Sequence, residues 1–297
     1  MLPGRSGVGR GRYLDLFWLL LLGTVWGASY LFIKVGVAEV PALTFVMARL
    51  VLGAALLWPL VRVVGYPMPR SRPLWEAYLV MGLLSGALPY SLITWGEIHI
   101  SSGLAALLQA TMPLFTVLLA HRWTADERLT LPRVLGVIVG FLGVGLVLFP
   151  ELRRGFQAGL LGQLAVVASS ISYAAAAIFA RNRLRGQPPL VSTAGQLTAG
   201  AALMLPLSLI VDRPFHLSPS LPAVASWLGL TILGTVLAYA IYYTLLARTS
   251  ATFVSMVTYV IPVNGLILGA LVLGEPLHLT VLGSLALILL GVFLVRR

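Results

Sequence analysis

Few side chains in this 297-residue sequence have the means to do chemistry, and they sit where polar groups are rare. Arg49 lies deep inside an apolar run, about nine residues from the nearer end of it. The amides Gln109 and Gln163 and the aromatic residues Trp26, Tyr30, Tyr78, Tyr173, Tyr239 and Tyr242 are likewise embedded in apolar stretches, as are Pro113 and Pro262. An ionisable group at such a position is costly and marks a solute path by default. Arg49 has two readings that the sequence leaves open, as a ligand for a substrate carboxylate or as a structural tie to neighbouring carbonyls.

Helical spacing gathers these residues into faces. Trp26 and Tyr30 share one, Gln163, Ser170 and Tyr173 another, and Thr231, Thr235, Tyr239 and Tyr242 form a stripe at steps of four, four and three; Tyr78 and Ser85 make a weaker pair. A membrane tyrosine serves equally as an interface anchor or a packing residue, but Tyr173 and Tyr239 lie far from any loop boundary. A pocket of tyrosines, one tryptophan and amides suits a flat amphipathic solute through stacking and hydrogen bonds. It suits a phosphate poorly, because the chain has a single lysine, Lys34, at a helix end where it reads as a snorkelling residue. Proline inside a helix frees the carbonyl four residues earlier, here those of Gln109 and Thr258. Such breaks line transporter sites or serve only as kinks for packing, and both readings stand.

Enzymatic classes find little support. There is no phosphate-binding glycine loop and no His-Glu-x-x-His, and the histidines at 99, 121, 216 and 278 all fall at loop boundaries. The chain has no cysteine, so thiol nucleophiles and thiolate metal sites are out. Ser85 and Ser102 have no evident buried histidine or lysine partner for a nucleophilic mechanism. Glu127 and Glu275 each precede a helix, where an acid is stabilised without any transport role. No cofactor or metal is expected, and the chain reads as a non-enzyme.

The elements that hold these residues are dictated by composition. The chain is 59% apolar and 10% charged, a balance suited to lipid as solvent. Cutting it at charges, prolines and polar clusters predicts ten spans, at 14–34, 40–61, 74–93, 98–120, 132–149, 159–180, 190–211, 222–246, 250–273 and 277–295. The weakest cut is the polar break Thr94–His99, without which the count is nine. The run Leu14–Ile33 is too long for a cleaved signal core and reads as the first span. The net charge of +11 comes from basic residues scattered between spans rather than gathered on a face, which argues against nucleic acid. Fifteen of the twenty Lys and Arg residues fall on the side of the amino terminus, so both termini are expected to be cytoplasmic.

The two halves repeat. An offset of 147 lays Trp26 on Tyr173, Lys34 on Arg181, Gly53 on Gly200 and Pro59 on Pro206, with Arg49 on Gln196. A slip of two then lays Ser101 on Ser250 and Pro113 on Pro262. Five spans per half force the second to enter the membrane from the opposite side. The predicted fold is therefore an all-α integral membrane protein of ten transmembrane helices, arranged as two inverted five-helix repeats over 1–150 and 151–297.

These residues resemble the drug/metabolite transporter superfamily, in particular its ten-helix EamA group, over nearly the whole chain. The marks are Trp26-Gly27-Ala28-Ser29, Arg49, the run Ser101–Leu119 around Met112-Pro113-Leu114, and Glu127-Arg128-Leu129-Thr130, with Ile261-Pro262-Val263 and Gly274-Glu275-Pro276-Leu277 in the second half. The resemblance implies secondary export of small metabolites across a bacterial inner membrane, often amino acids, and the chain looks most like exporters of aromatic ones. With the absence of a nucleotide loop, gradients supply the driving force. The rival readings are a passive channel or facilitator and, from another class, an intramembrane enzyme. Ten helices suffice to enclose a path, so a monomer with the lipid bilayer and a small-molecule substrate as partners is expected.

Overall fold

The computed structural model describes residues 6–67, 69–123, 129–153, 155 and 157–296, apart from the side chains of 6–12, 247, 251 and 252. Glu127 lies outside the described residues. Every regular element among them is helical. The first half runs α1 (Ser6–Val37), α2 (Ala42–Val63), α3 (Arg72–Gly82), a π-helical turn (Leu83–Ala87), α4 (Leu88–His99), α5 (Ser102–Gln109), α6 (Met112–Trp123) and α7 (Leu131–Arg153). The second runs α8 (Ala158–Arg183), α9 (Pro189–Val211), α10 (Leu221–Thr231), a π-helical turn (Ile232–Leu237), α11 (Ala238–Arg248), α12 (Ala251–Ser255), α13 (Val257–Leu273) and α14 (Leu279–Val295).

These elements make ten spans. Nine are long, apolar stretches, counting α3 with α4, α5 with α6, α10 with α11, and α12 with α13 as single spans. The tenth, α14, has 17 residues, about 25 Å at helical rise and enough to cross the hydrocarbon. The polar segment 94–99 completes α4, and the chain reverses within Ile100–Ser101. The third and fourth spans are thus separate, with the boundary later than hydropathy placed it. A serine opens each of the two broken spans: Ser101 Oγ accepts from Leu104 N and Ser250 Oγ from Phe253 N, each capping the new helix.

Packing follows the repeat. α2 crosses α9 and α7 crosses α14, each helix meeting its own counterpart, and α5 crosses α13, joining the fourth span to the ninth; α1 on α10 and α11 is matched by α8 on α4, and α1 on α13 by α8 on α5 and α6. Without a hydrophobic drive in lipid, close approach depends on small residues. A Cβ added at Gly82 would stand 2.5 Å from Gly200 N and 2.8 Å from Gln196 O. We therefore expect Gly82→Val to pry α3 from α9 and cost about 1–3 kcal/mol, as overpacking does. A thermal melt in detergent that is unchanged would contradict this contact.

The symmetry fails at the two faces of the membrane. On the face opposite the chain ends, α1 packs on α4 and α5, whereas α8 makes no comparably extensive contact with α11 and α12 at the terminal face. That opposite face is sealed by bonds between the halves. Glu275 accepts from Ser102 N (2.7 Å), Ser102 Oγ (3.0 Å) and Gly103 N (2.9 Å), and Asp212 accepts from Thr44 N (2.7 Å) and Thr44 Oγ1 (2.8 Å). Glu275 was expected to serve the helix that follows it; it serves the amino terminus of α5 in the other half instead, where the exposed N–H groups favour an anion. Exposed Glu39 accepts from Ser220 N and Oγ. Those bonds hold the Glu39 carboxyl below the usual carboxylate range. Its folded-state pKa being depressed, this link is present above that range and lost as the pH falls through it. Lys34 does more than snorkel, since its Nζ donates to the carbonyls of Glu97 and Ile100 at the end of α4.

Candidate functional site

A cavity of about 550 Å³ lies at the centre of the bundle, bounded by both halves. Its walls come from α1, α2, α3, α4, α8, α9, α11, α12 and α13, together with the α5–α6 junction and both π turns. Tyr242, Tyr243, Val254 and Ser255 carry the wall toward the terminal face, the side on which α11 ends and α12 begins. The cavity thus extends away from the sealed face.

Seven of the eleven residues singled out by sequence line it: Trp26, Tyr30, Arg49, Gln109, Tyr173, Tyr239 and Tyr242. Two of the others lie elsewhere. Tyr78 is fully buried, its ring filling the slot that Gly195 opens and meeting Trp75 edge-on at 5.6 Å. It packs α3 on α9 and does not reach the cavity. Gln163 shares a helical face with Tyr173 but lies ten residues nearer the sealed end. It borders a separate hollow with Leu104, Pro150, Glu151 and His278. That hollow is larger, at about 740 Å³, yet it lies at the ends of α7 and α14 and has no Trp, Tyr or Phe in its wall.

The prolines also act differently from expectation. The fourth span breaks at Ala110–Thr111, which leaves Pro113 in the first turn of α6, where an absent N–H costs nothing. The Gln109 carbonyl has Ser170 Oγ at 3.5 Å. In the ninth span the break falls at Met256, and Pro262 lies within α13. There the Ser255 carbonyl, rather than that of Thr258, receives outside donors: Thr258 Oγ1 at 3.0 Å and Arg296 at 2.9 Å.

Two polar contacts cross between the halves and are related by the repeat. Arg49 Nε donates to Thr235 Oγ1 at 3.3 Å, in the π turn of the second half. Gln196, the counterpart of Arg49 on α9, pairs through its amide with Ser85 Oγ at 3.2 Å, in the π turn of the first. A π turn inserts one residue and rotates the helix beyond it, a device common at functional sites. Beyond the second of these turns, Tyr243 stands one helical step of four from Tyr239 on α11 and joins Tyr239 and Tyr242 at the wall. The guanidinium of Arg49 lies 3.9 Å from the ring centroid of Tyr90, and Tyr90 sits 6.4 Å from Tyr173. Toward the terminal face Trp26 meets Tyr239 at 6.3 Å and Tyr242 at 5.8 Å, and Tyr239 stacks on Tyr243 at 5.9 Å. Sequence reasoning passed over Tyr90 and Tyr243. Tyr90 stands five residues after the lining position Ser85, which lies in the first π turn, and that phase is legible only once the turn is known.

The cavity has a cation and amides at one level and an aromatic cage at another, with no acid in its wall. It can hold a small solute by hydrogen bonds and stacking. Comparison with known proteins agrees with this architecture. The EamA-like transporter family matches twice, over residues 14–149 and 160–297. The chain is 27% identical to the uncharacterized inner membrane transporter YedA of Escherichia coli, covering 96% of this chain and 91% of that one. It is 29% identical to a probable amino-acid metabolite efflux pump of Salmonella typhimurium, covering 94% of each. A protein solved by crystallography shares the fold at a TM-score of 0.66 with 19% identity, covering 96% of this chain and 97% of that one. The chain therefore belongs to the EamA-like transporter family, a multi-span membrane transporter of the drug/metabolite superfamily.

Proposed function

We propose that this transporter is a secondary exporter of small amphipathic metabolites of the amino-acid class, aromatic ones favoured, working by alternating access at the central cavity. The observation that carries the reading is the cavity itself: both halves build it, one membrane face is sealed, and its wall offers a cation, two amides and a cage of aromatic rings. Two units, 1–150 and 151–297, would exchange roles as the seal passes from one face to the other, which is what inverted repeats permit. The substrate side draws support from the name of the Salmonella relative, an amino-acid metabolite efflux pump.

Preloaded liposomes carrying the protein are expected to show saturable counterflow of an aromatic amino-acid-type solute. Tyr173→Ala and Gln109→Ala should each lower it by about tenfold, the loss of roughly 1.4 kcal/mol of binding. Turnover of the solute would point to an enzyme, and flux without counterflow to a passive channel. Flux unaffected by either substitution would remove these residues from the site. We place both termini in the cytoplasm of a bacterial inner-membrane protein, on the charge bias of the loops. Alkaline phosphatase joined after Arg297 should then be inactive in cells, whereas the same enzyme inserted after Asp212 should be active.

A further inference from the structure

The wall of the cavity is charged in one place only. Arg49 is the single formally charged residue that lines it, and it is 8% exposed. Among the described residues the only hydrogen bond of its side chain is the long one from Nε to Thr235 Oγ1, at 3.3 Å. No carboxylate stands within ion-pair distance of it. One face of the guanidinium is covered by Tyr90, and its terminal nitrogens have no hydrogen-bond partner among the described residues. A planar fork with free donors matches a carboxylate through two parallel bonds, and a buried charge without a counter-ion is the costly state that a bound anion relieves.

We propose that the solute is a monoanion: an aromatic carboxylate whose amine is acylated or missing, with its carboxylate on Arg49 and its ring in the cage formed by Trp26, Tyr239 and Tyr242. This rests on the reading of the central cavity as the substrate site and narrows it. Bound there, such a solute makes the site neutral. A zwitterion leaves the arginine charge balanced but brings an ammonium that meets no acid in the wall, and a cation adds its charge to that of Arg49. Aromatic faces can substitute for an acid by cation–π attraction. Here Tyr90 already faces the Arg49 guanidinium, so an ammonium drawn to that ring would meet a like charge, whereas Trp26 with Tyr239 and Tyr242 with Tyr243 form edge-to-face pairs, at 78° and 73°, a geometry that a further flat ring extends. The rings are arranged to receive another flat ring rather than a point charge.

The test is a charge series on one ring. Proteoliposomes of the full chain are preloaded with radiolabelled N-acetylphenylalanine, and its efflux is competed with unlabelled N-acetylphenylalanine, 3-phenylpropionate, phenylalanine and phenylalanine amide. The two anions are expected to compete at least about tenfold better than phenylalanine, and the cationic amide not at all. Arg49→Gln should bring the anions down to the level of phenylalanine, while Arg49→Lys, which keeps the charge and loses the fork, retains part of the preference. A merely structural arginine would lower every flux together and leave the ratio unchanged. Should Arg49→Gln fail to reach the membrane, the series on the unaltered protein decides alone. Phenylalanine competing as well as the anions would overturn this proposal and leave the exporter reading intact. An absence of saturable flux for all four solutes with folded protein would overturn both.

Discussion

Trp26→Ala is expected to lower solute flux by roughly 10- to 100-fold while leaving the amount of folded protein in the membrane near normal. Trp26 meets Tyr239 and Tyr242 across the boundary between α1 and α11, and each aromatic pair contributes about 0.5–1.5 kcal/mol beyond burial. A solute ring inserted beside them would gain contacts of the same kind, so the loss of the indole removes about 1.5–3 kcal/mol from the bound state, or one to two powers of ten. Because Trp26 borders a cavity, deleting it enlarges a space already present instead of opening a void in a packed core, and the usual penalty of several kcal/mol for removing a buried tryptophan does not apply in full. Efflux assays at matched protein abundance read the first effect, and a melting curve reads the second. Normal flux with a collapsed melting temperature would assign Trp26 to packing. Tyr78→Ala makes the contrast: fully buried against Gly195 and Trp75, it should lower stability and leave the apparent affinity of the remaining protein unchanged.

The second large effect is expected from Glu275→Ala. Its carboxylate receives two backbone N–H groups and one hydroxyl at the amino terminus of α5. Hydrogen bonds to a charged group are worth about 1.5–3 kcal/mol each when one is removed, and they are not additive. A loss of about 2–4 kcal/mol shifts a two-state equilibrium roughly 30-fold or more toward the conformation that lacks the bond. The bond joins the two halves at the sealed face, so the variant should populate a form open at that face. The absence of native cysteine permits a clean readout. Ile100→Cys, buried beside the Lys34 contact, should react slowly with an impermeant thiol reagent added to cells, and at least about tenfold faster when combined with Glu275→Ala. Equal labelling in the two backgrounds would show that Glu275 does not hold the seal. Substitution of Asp212, which accepts from Thr44 at the same face, should act in the same direction.

The particular residues show how far the linear pattern carries. Trp26, Tyr30, Tyr173, Tyr239 and Tyr242 were found from helical phase and depth, because both are properties of the helix each residue belongs to. Tyr78 and Gln163 satisfied the same criteria and stand outside the cavity. A face at the right phase can turn toward a neighbouring helix as well as toward a cavity, and only the crossing of α3 on α9 or the height of Gln163 along α8 distinguishes them. Tyr90 was missed because the π turn at 83–87 resets the phase, and no residue type announces such a turn; Tyr243 lay within reach of the pattern, four residues after Tyr239 on α11, and was passed over. Pro113 and Pro262 marked the two broken spans correctly but not the points of rupture, since proline is equally tolerated just after a break and within a helix whose freed carbonyl is otherwise accommodated.

The sequence by itself determined the solvent, the number of spans to within one and, at ten, the inverted repeat. Each follows from composition, from the length needed to cross hydrocarbon, and from an odd number of crossings per half. It also limited the chemistry, by offering one deep cation, amides and aromatic rings and little else. Tertiary structure alone decided which of those groups meet, which membrane face is sealed, and that Arg49 confronts Tyr90 and Thr235 with no acid beside it. The physical reason is that composition and helical phase are local properties, whereas the packing of the helices is chosen by contacts between distant residues. That choice lies in long-range contacts such as Glu275 with Ser102 and Lys34 with the end of α4, whose partners are far apart in the chain and invisible to any local pattern.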